Sequence, residues 1–356
     1  MRFSVQRTLT AAALAAAFAG AGCAGNVSNP IAAPANSLRV NAGHAMTPAQ
    51  QRMLGMSLVS PAKVVPDHRA SWMSPDAKKS KSLMYVADED NNDVLVYTYP
   101  AGKKMGMLTG FETPTGICSN KAGDVFILNG NGMTVTVYAH GGTTPIRTLE
   151  LPGYPYFNCS VDPTTGNLAL GVLAGSCGNC IAVFTNASGT PTTYTPSGQQ
   201  GFPGCGYDNK GNLFCDAYND SEDVFLLFEV AAGSASANQV SVSGASGLEP
   251  GSIQWDGKDL VFANGDSGNL YQIALSGSTG SIAGSTVLNN TGNVWQFWLM
   301  NTSGKKSKKE RVLAPTITGS DIGVVGYYKY PAGGNATKTV TGASAPDGVA
   351  VSTLKK

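Results

Sequence analysis

Two short runs of the chain carry oxygen ligands densely enough to suggest metal chemistry. Asp88-Glu-Asp-Asn-Asn-Asp93 and Asp216-Ala-Tyr-Asn-Asp-Ser-Glu-Asp223 crowd carboxylates and amides together, and Ca²⁺ prefers several such oxygens. Neither run has the spaced ligands and fixed glycine of an EF-hand loop. Ca²⁺ is the one cofactor these patterns point to, through Asp88, Asp90 and Asp93. Histidine chemistry is short of parts: His44, His68 and His140 are the only three, too few for a triad or a zinc site. His140 is expected in an exposed turn. Cys177-Gly-Asn-Cys180 has the spacing of a redox motif, but outside a strand–helix–strand setting it reads as a structural disulfide within a loop. Asn158, Gln254, Trp255, Gln296 and Trp298 form an aromatic and amide set that suits sugar or peptide binding; for each tryptophan, packing in the core is the competing reading.

These residues need a frame, and composition narrows it. Lys plus Arg number 24 against 23 for Asp plus Glu, a net charge of +1, so no nucleic-acid partner is expected. Gly 44 and Pro 19 with only 13% charged residues fit a turn-rich, all-β, exported chain, and 42% hydrophobic residues can fill a core.

Residues 1–22 read as a signal peptide, with Arg2 and Arg7 ahead of the short apolar run Ala11 to Ala19. Two cleavage sites compete. One follows Ala21 and frees the protein. The other precedes Cys23, where Gly20-Ala21-Gly22-Cys23 resembles a bacterial lipobox with Gly20 in place of the usual Leu. Acylation of Cys23 would leave six cysteines, an even set, expected to pair as Cys177–Cys180, Cys205–Cys215 and Cys118–Cys159 among the 15 pairings that six thiols allow. Residues 23–80 read as a low-complexity tether, in which Trp72 and Met73 are expected to dock on the domain that follows.

Residues 81–356 are a repeat. Turn glycines Gly123, Gly166, Gly211 and Gly257 are spaced by 43, 45 and 46 residues, the length of one four-stranded blade. Third strands end at Tyr97, Tyr138, Phe184, Phe228, Ile273 and Tyr328. The pattern predicts an all-β, six-bladed β-propeller of four-stranded antiparallel blades, with a lysine-rich insertion, Lys305 to Arg311, in the last. The chain enters at Leu83-Met-Tyr-Val-Ala-Asp88, already a second strand, and leaves through Pro346-Asp-Gly-Val-Ala-Val-Ser352, a first strand. Pairing the C-terminal strand with the N-terminal blade closes the ring and covers an open edge.

Tyr85-Val-Ala-Asp88, Asn91-Asn92-Asp93-Val94-Leu95-Val96-Tyr97 and Pro346-Asp-Gly-Val-Ala-Val-Ser352 resemble NHL-repeat propellers. That family's signature runs Pro-x-Gly-Val-Ala-Val-Asp, Tyr-Val-Ala-Asp, two Asn, then Arg-Ile-Gln-Val-Phe. Asp93 stands where the family has Arg. The resemblance spans Ser82 to Ser352 and implies the fold. Its members include protein-binding, nucleic-acid-binding, sensory and lyase proteins, so it implies no single activity.

In such a meander the loops after second strands share a face with the blade-to-blade connections. Asp88, Asp90, Asp93, Asp216, Asp220, Asp223 and Asp347 fall there with no Lys or Arg among them. One face is therefore expected to attract cations or cationic ligands, although aspartate also serves tight turns and solubility. Together these observations predict an exported, lipid-anchored binding module at the cell envelope, a monomer that contacts the membrane through its anchor and takes an envelope ligand or protein. Its expected ligand residues are Asp88, Asp90, Asp93, Asp216, Asp220, Asp223, Trp255 and Trp298. A Ca²⁺-dependent propeller hydrolase or lactonase, and an inert adhesion domain, are the alternatives.

Overall fold

The computed structural model describes residues 69–199, 201–219, 224–265, 267–300, 311–317 and 323–354. The expected signal peptide, Cys23, most of the expected tether, His44, His68, Asp220, Asp223 and residues 301–310 of the expected insertion lie outside them.

The protein is all-β apart from short 3-10 turns, and its strands form blades of four antiparallel strands in a propeller arrangement. Its first sheet holds β1 (Trp72–Met73), β2 (Ser82–Asp88), β3 (Asp93–Thr98) and β4 (Lys104–Leu108), with the C-terminal β25 (Pro346–Thr353) on its inner edge in the order β1-β4-β3-β2-β25. A second comprises β5 (Pro114–Ser119), β6 (Val125–Asn129), β7 (Thr134–Tyr138) and β8 (Pro145–Glu150). Next come β9 (Tyr154–Val161), β10 (Leu168–Gly175), β11 (Gly178–Phe184) and β12 (Thr192–Tyr194). An eight-stranded sheet follows. It joins β13 (Cys205–Tyr207), β14 (Leu213–Asn219), β15 (Val224–Val230) and β16 (Asn238–Ser243) to β17 (Ile253–Trp255), β18 (Leu260–Ala263), β19 (Asn269–Ser276) and β20 (Thr279–Val287). The last sheet is β21 (Trp298–Met300), β22 (Arg311–Ile317), β23 (Gly323–Lys329) and β24 (Gly333–Thr341).

Five sheets thus stand where six separate ones were expected. The reason is local: the outer strands β16 and β20 run parallel and pair at Ser241↔Thr279, Val242↔Gly280 and Ser243↔Ser281. Each would otherwise present a bare row of N–H and C=O groups.

Closure follows the expected plan. β25 pairs with β2 from Ser82↔Thr353 to Asp88↔Pro346, so the two ends of the repeat region share one sheet. Trp72 and Met73 dock as well, through the β1–β4 pairing Trp72↔Met107 and Met73↔Gly106. Met73 packs against the core, while Trp72 stays 46% exposed.

The inner strands approach one another closely. A Cβ at Gly348 would lie 2.1 Å from Thr115 O, and one at Gly116 would lie 2.2 Å from Phe157 O. Only glycine lets β25, β5 and β9 meet backbone to backbone here. The free inner edges are then satisfied by side chains of the neighbouring inner strand. Asn158 Oδ1 accepts from Cys205 N at 2.8 Å. Gln254 donates to Phe297 O at 2.7 Å and accepts from Leu299 N at 2.8 Å. Gln296, just before β21, accepts from Val349 N and Ile117 N and donates to Ile117 O. The amides read as a ligand lining are therefore occupied in holding the axis together.

All three expected disulfides form: Cys118–Cys159 between β5 and β9, Cys177–Cys180 from the β10–β11 turn to β11, and Cys205–Cys215 between opposed residues of β13 and β14. No helix of the described residues is long and apolar enough to cross a membrane. Three disulfides fit an exported or extracellular protein.

Candidate functional site

The fold divides the expected ligand residues into two groups at opposite ends of the inner strands. Asp88, Asp90 and Asp93 lie at or beyond the end of β2, and Asp216 lies within β14. Trp255 and Trp298 lie at the other end, beside the turns that join first to second strands.

Among the acids, Asp88 and Asp216 are fully buried, with relative exposures of 0%. Asp88 accepts from Ser344 N at 2.9 Å, Ala345 N at 3.0 Å and Asn91 Nδ2 at 2.8 Å. Asp216 accepts from Gly204 N at 2.8 Å and Gly251 N at 2.9 Å. The same task recurs around the ring. Asn129 Oδ1 accepts from Glu112 N, Asn264 Oδ1 from Glu249 N and Thr316 Oγ1 from Gly292 N. Each second strand in this set carries a short polar side chain, at or near its end or, for Asp216, within β14, that satisfies the connection leading into an inner strand. A signal for this was present only in part: Asp88 and Asn129 each close the hairpin to the next strand, at Asp88↔Asp93 and Asn129↔Thr134, whereas Asp216 pairs with Leu227 inside β14.

Asp93 is 1% exposed and pairs with Arg69 Nη2 at 2.9 Å. Burial and the nearby Asp88 push its carboxyl up to about 6, against the pull of Arg69. Asp90 is exposed. Asp347 is hydrogen-bonded to Glu89, and burial, reinforced by the negative field of Asp90 and Asp88, pushes its carboxyl up to about 6. Among the described residues no group of three or more His, Cys, Asp or Glu converges to hold a metal.

These raised values fix a pH dependence. A carboxyl with a folded-state pKa above its unfolded one binds more protons when folded, so its contribution fades as pH rises between the two. For Asp347 and Asp93 the window runs from 3.8 to about 6. Asp162, held below the ordinary range by Thr165 and Thr164 against its burial, has the opposite sign and matters only below that window. These two carboxyls are therefore expected to lower the melting temperature from about pH 4 to about pH 6, opposed below 6.5 by His140, whose pKa burial lowers and whose sign is the reverse, and Asp347→Asn to remove part of that fall. Melts across this range, in which the variant keeps the full wild-type slope, would refute the assignment.

His140 departs from expectation. It is 8% exposed, not in an open turn, with Nε2 2.8 Å from Ser80 O and Nδ1 2.7 Å from Ser352 Oγ. Since a carbonyl only accepts, Nε2 carries a proton, and burial lowers the ring's pKa. The ring braces the first two sheets through Ser80 O and through Ser352 Oγ, which itself donates to Gly123 O.

The open chemistry is at the other end. A cavity of about 550 Å³ is lined by Ser119 to Ala122, Val161 to Pro163, Gly166, Trp298, Met300, Val351 and Thr353. A second of about 270 Å³ shares Ser119, Val161, Pro163 and Trp298 and adds Tyr207, Asp208, Asn209, Gln254 and Trp255. Together they make a two-lobed funnel around the axis, to which β5, β9, β13, β17, β21 and β25 all contribute. Trp298 stands between the lobes and also packs against three core clusters. Tyr156, Phe157, Leu173, Tyr218 and Trp295 form a buried cluster at the other ends of the inner strands, with the Phe157 and Trp295 rings 5.3 Å apart.

The carboxylates in the funnel are already engaged. Asp162 accepts from Thr164 N and the Thr164 and Thr165 hydroxyls, and Asp208 accepts from Lys210 N, Asn212 N and Asn212 Nδ2. Lys121 Nζ donates to Pro163 O at 2.5 Å. What remains is two indole faces, Met300, Val161, Pro163 and Val351 with short polar groups between them. Of these, sequence reasoning found the two tryptophans. The flanks Ser119 to Ala122, Val161 to Pro163 and Tyr207 to Asn209 were not assigned as ligand residues, although each lies within five residues before a turn glycine.

No family model matches the chain, and no curated protein is similar to it. Solved structures are similar in fold. A Bacteroides caccae protein of unknown function is 15% identical with a TM-score of 0.56, covering 78% of this chain and 100% of its own. A chain of a nidogen/laminin complex is 10% identical with a TM-score of 0.58, covering 77% and 100%. Hydrazine synthase of Kuenenia stuttgartiensis is 14% identical with a TM-score of 0.51, covering 72% and 75%. At such identities the likeness shows the propeller fold alone.

Proposed function

We propose that the chain is a binding module of the cell envelope that takes an uncharged ligand with an apolar face, a glycan or a peptide, into the axial funnel. The observation that carries this reading is the funnel itself: two tryptophans frame an opening whose carboxylates are spent on their own turns. Indole faces bind flat apolar surfaces, and the two lining carboxylates, Asp162 and Asp208, already accept from their own turns. The acids of the opposite face support the frame, which moves the ligand residues from Asp88 and Asp216 to Trp255 and Trp298.

On this reading the ring counts six NHL-like blades, with the eight-stranded sheet taken as two blades joined at their outer edges. Export through residues 1–22 and anchoring at Cys23 complete it; the three disulfides support an oxidising compartment. An intact mass carrying lipid on Cys23 tests the anchor.

The funnel is tested by titrating the full chain with neutral oligosaccharides and uncharged peptides while following tryptophan fluorescence. Val161→Arg, at the wall shared by both lobes, is expected to weaken binding by at least about tenfold, or 1.4 kcal/mol, with the melting temperature held within a few degrees. Trp298→Phe should retain partial binding because a ring remains. Binding that is indifferent to Val161→Arg would remove the funnel from the mechanism.

A further inference from the structure

The three disulfides differ in what surrounds them. Cys118–Cys159 bridges two inner strands across a sequence separation of 41, and its cysteines are 1% and 3% exposed. Cys205 and Cys215, opposed in β13 and β14, are both at 0%. Cys177–Cys180 sits at the tip of the β10–β11 hairpin, with Cys180 at 0% and Cys177 only half-buried.

That hairpin does not depend on its disulfide. The ladder pairs Leu168↔Phe184 through Val172↔Cys180 and resumes beyond it at Gly175↔Gly178. The bond spans a sequence separation of 3. A link across so short a loop removes the least entropy from the unfolded chain. Of the three bonds, this one contributes least to the fold and offers the most accessible sulfur.

We propose that Cys177–Cys180 is a thiol–disulfide exchange site through which a dithiol reduces the folded propeller, with Cys177 as the sulfur attacked. A thiolate of the donor attacks Cys177 Sγ. A bond forms between donor and Cys177, the Cys177–Cys180 bond breaks, and Cys180 leaves as a thiolate that takes up a proton. The donor's second thiolate then attacks its own sulfur in the mixed disulfide, releasing Cys177 as a thiolate that is protonated in turn. Two electrons and two protons pass to the pair, and the donor departs as a disulfide. Burial of Cys180 blocks attack from its side, so the mixed disulfide forms at Cys177. The fitting partner is a dithiol, protein-borne or small, and the exchange is independent of the funnel.

The test treats the native full chain with limiting dithiothreitol, quenches with an alkylating agent and reads each cysteine by mass spectrometry. Cys177 and Cys180 are expected to label together, at least about tenfold faster than Cys118, Cys159, Cys205 and Cys215, with the near-ultraviolet dichroism unchanged. Oxidised glutathione, used as a second probe, should add to Cys177 in Cys180→Ser but leave Cys180 untouched in folded Cys177→Ser. Equal labelling of all six cysteines accompanied by loss of the native spectrum would overturn the proposal. Equal glutathione uptake by the two variants would overturn the direction of attack. Should a variant fail to fold, the labelling order of the unaltered chain decides.

Discussion

Replacing Gln296 by leucine is expected to cost roughly 3 to 5 kcal/mol of unfolding free energy and roughly 5 to 10 °C in melting temperature. The side chain is fully buried. Its Oε1 accepts from Ile117 N at 3.1 Å and Val349 N at 2.8 Å, while Nε2 donates to Ile117 O at 2.6 Å. One amide thus ties the segment before β21 to β5 and to the closing strand β25. Leucine fills a similar volume but leaves three backbone groups on a free inner edge without partners or water. Each orphaned buried group costs about 1 to 3 kcal/mol, so even the lower bound exceeds what the extra apolar burial returns. Denaturant titration of both proteins measures the difference. A loss below about 1 kcal/mol would mean that the inner edges are satisfied in some other way.

The fold was readable from the sequence because a propeller is written as a period. Turn glycines at Gly123, Gly166, Gly211 and Gly257 and the strand pattern of Leu83 to Asp88 needed only self-comparison, and closure by β25 followed from where the chain enters and leaves. The pairing of Cys205 with Cys215 was equally local, since both flank one hairpin. The fusion of β16 to β20 was not legible, because it depends on how far two outer strands reach around the rim. Side-chain roles were the weakest part for a related reason. Asp88 and Asp216 look like ligands in a list of loop acids, yet their partners, Ser344, Ala345, Gly204 and Gly251, are backbone groups that have no signature in sequence. His140 misled for the same reason: His140-Gly-Gly reads as an open turn until Ser80 and Ser352 fold over it. Trp255 and Trp298 were found because indoles at inner-strand positions are rare enough to notice. The smaller residues beside them carry no such mark.

Asp216 provides the second large effect, and it separates a structural acid from a ligand acid. Its oxygens take Gly204 N and Gly251 N, one in the connection entering β13 and the other in the connection entering β17. Asp216→Ala removes both acceptors and leaves a small void, for an expected loss of roughly 3 to 5 kcal/mol. Asp216→Asn keeps one acceptor oxygen but turns an NH₂ towards the other N–H, and should fall between alanine and the unaltered protein. Burial pushes the Asp216 carboxyl well above its usual range despite its backbone hydrogen bonds. A raised folded-state pKa means that this residue's stabilisation is greatest while the carboxyl is protonated and diminishes as pH rises through that value. The penalty of Asp216→Ala should therefore be larger at about pH 5 than at about pH 9. Denaturant titrations at both pH values test the sign, and a penalty that grows with pH would show the carboxylate to be the stabilising form. Because Asp216 is remote from the funnel lining, the folded fraction of the alanine variant should bind funnel ligands with unchanged affinity. A loss of affinity with stability intact would return Asp216 to the ligand residues and make the acidic end of the axis the site to pursue.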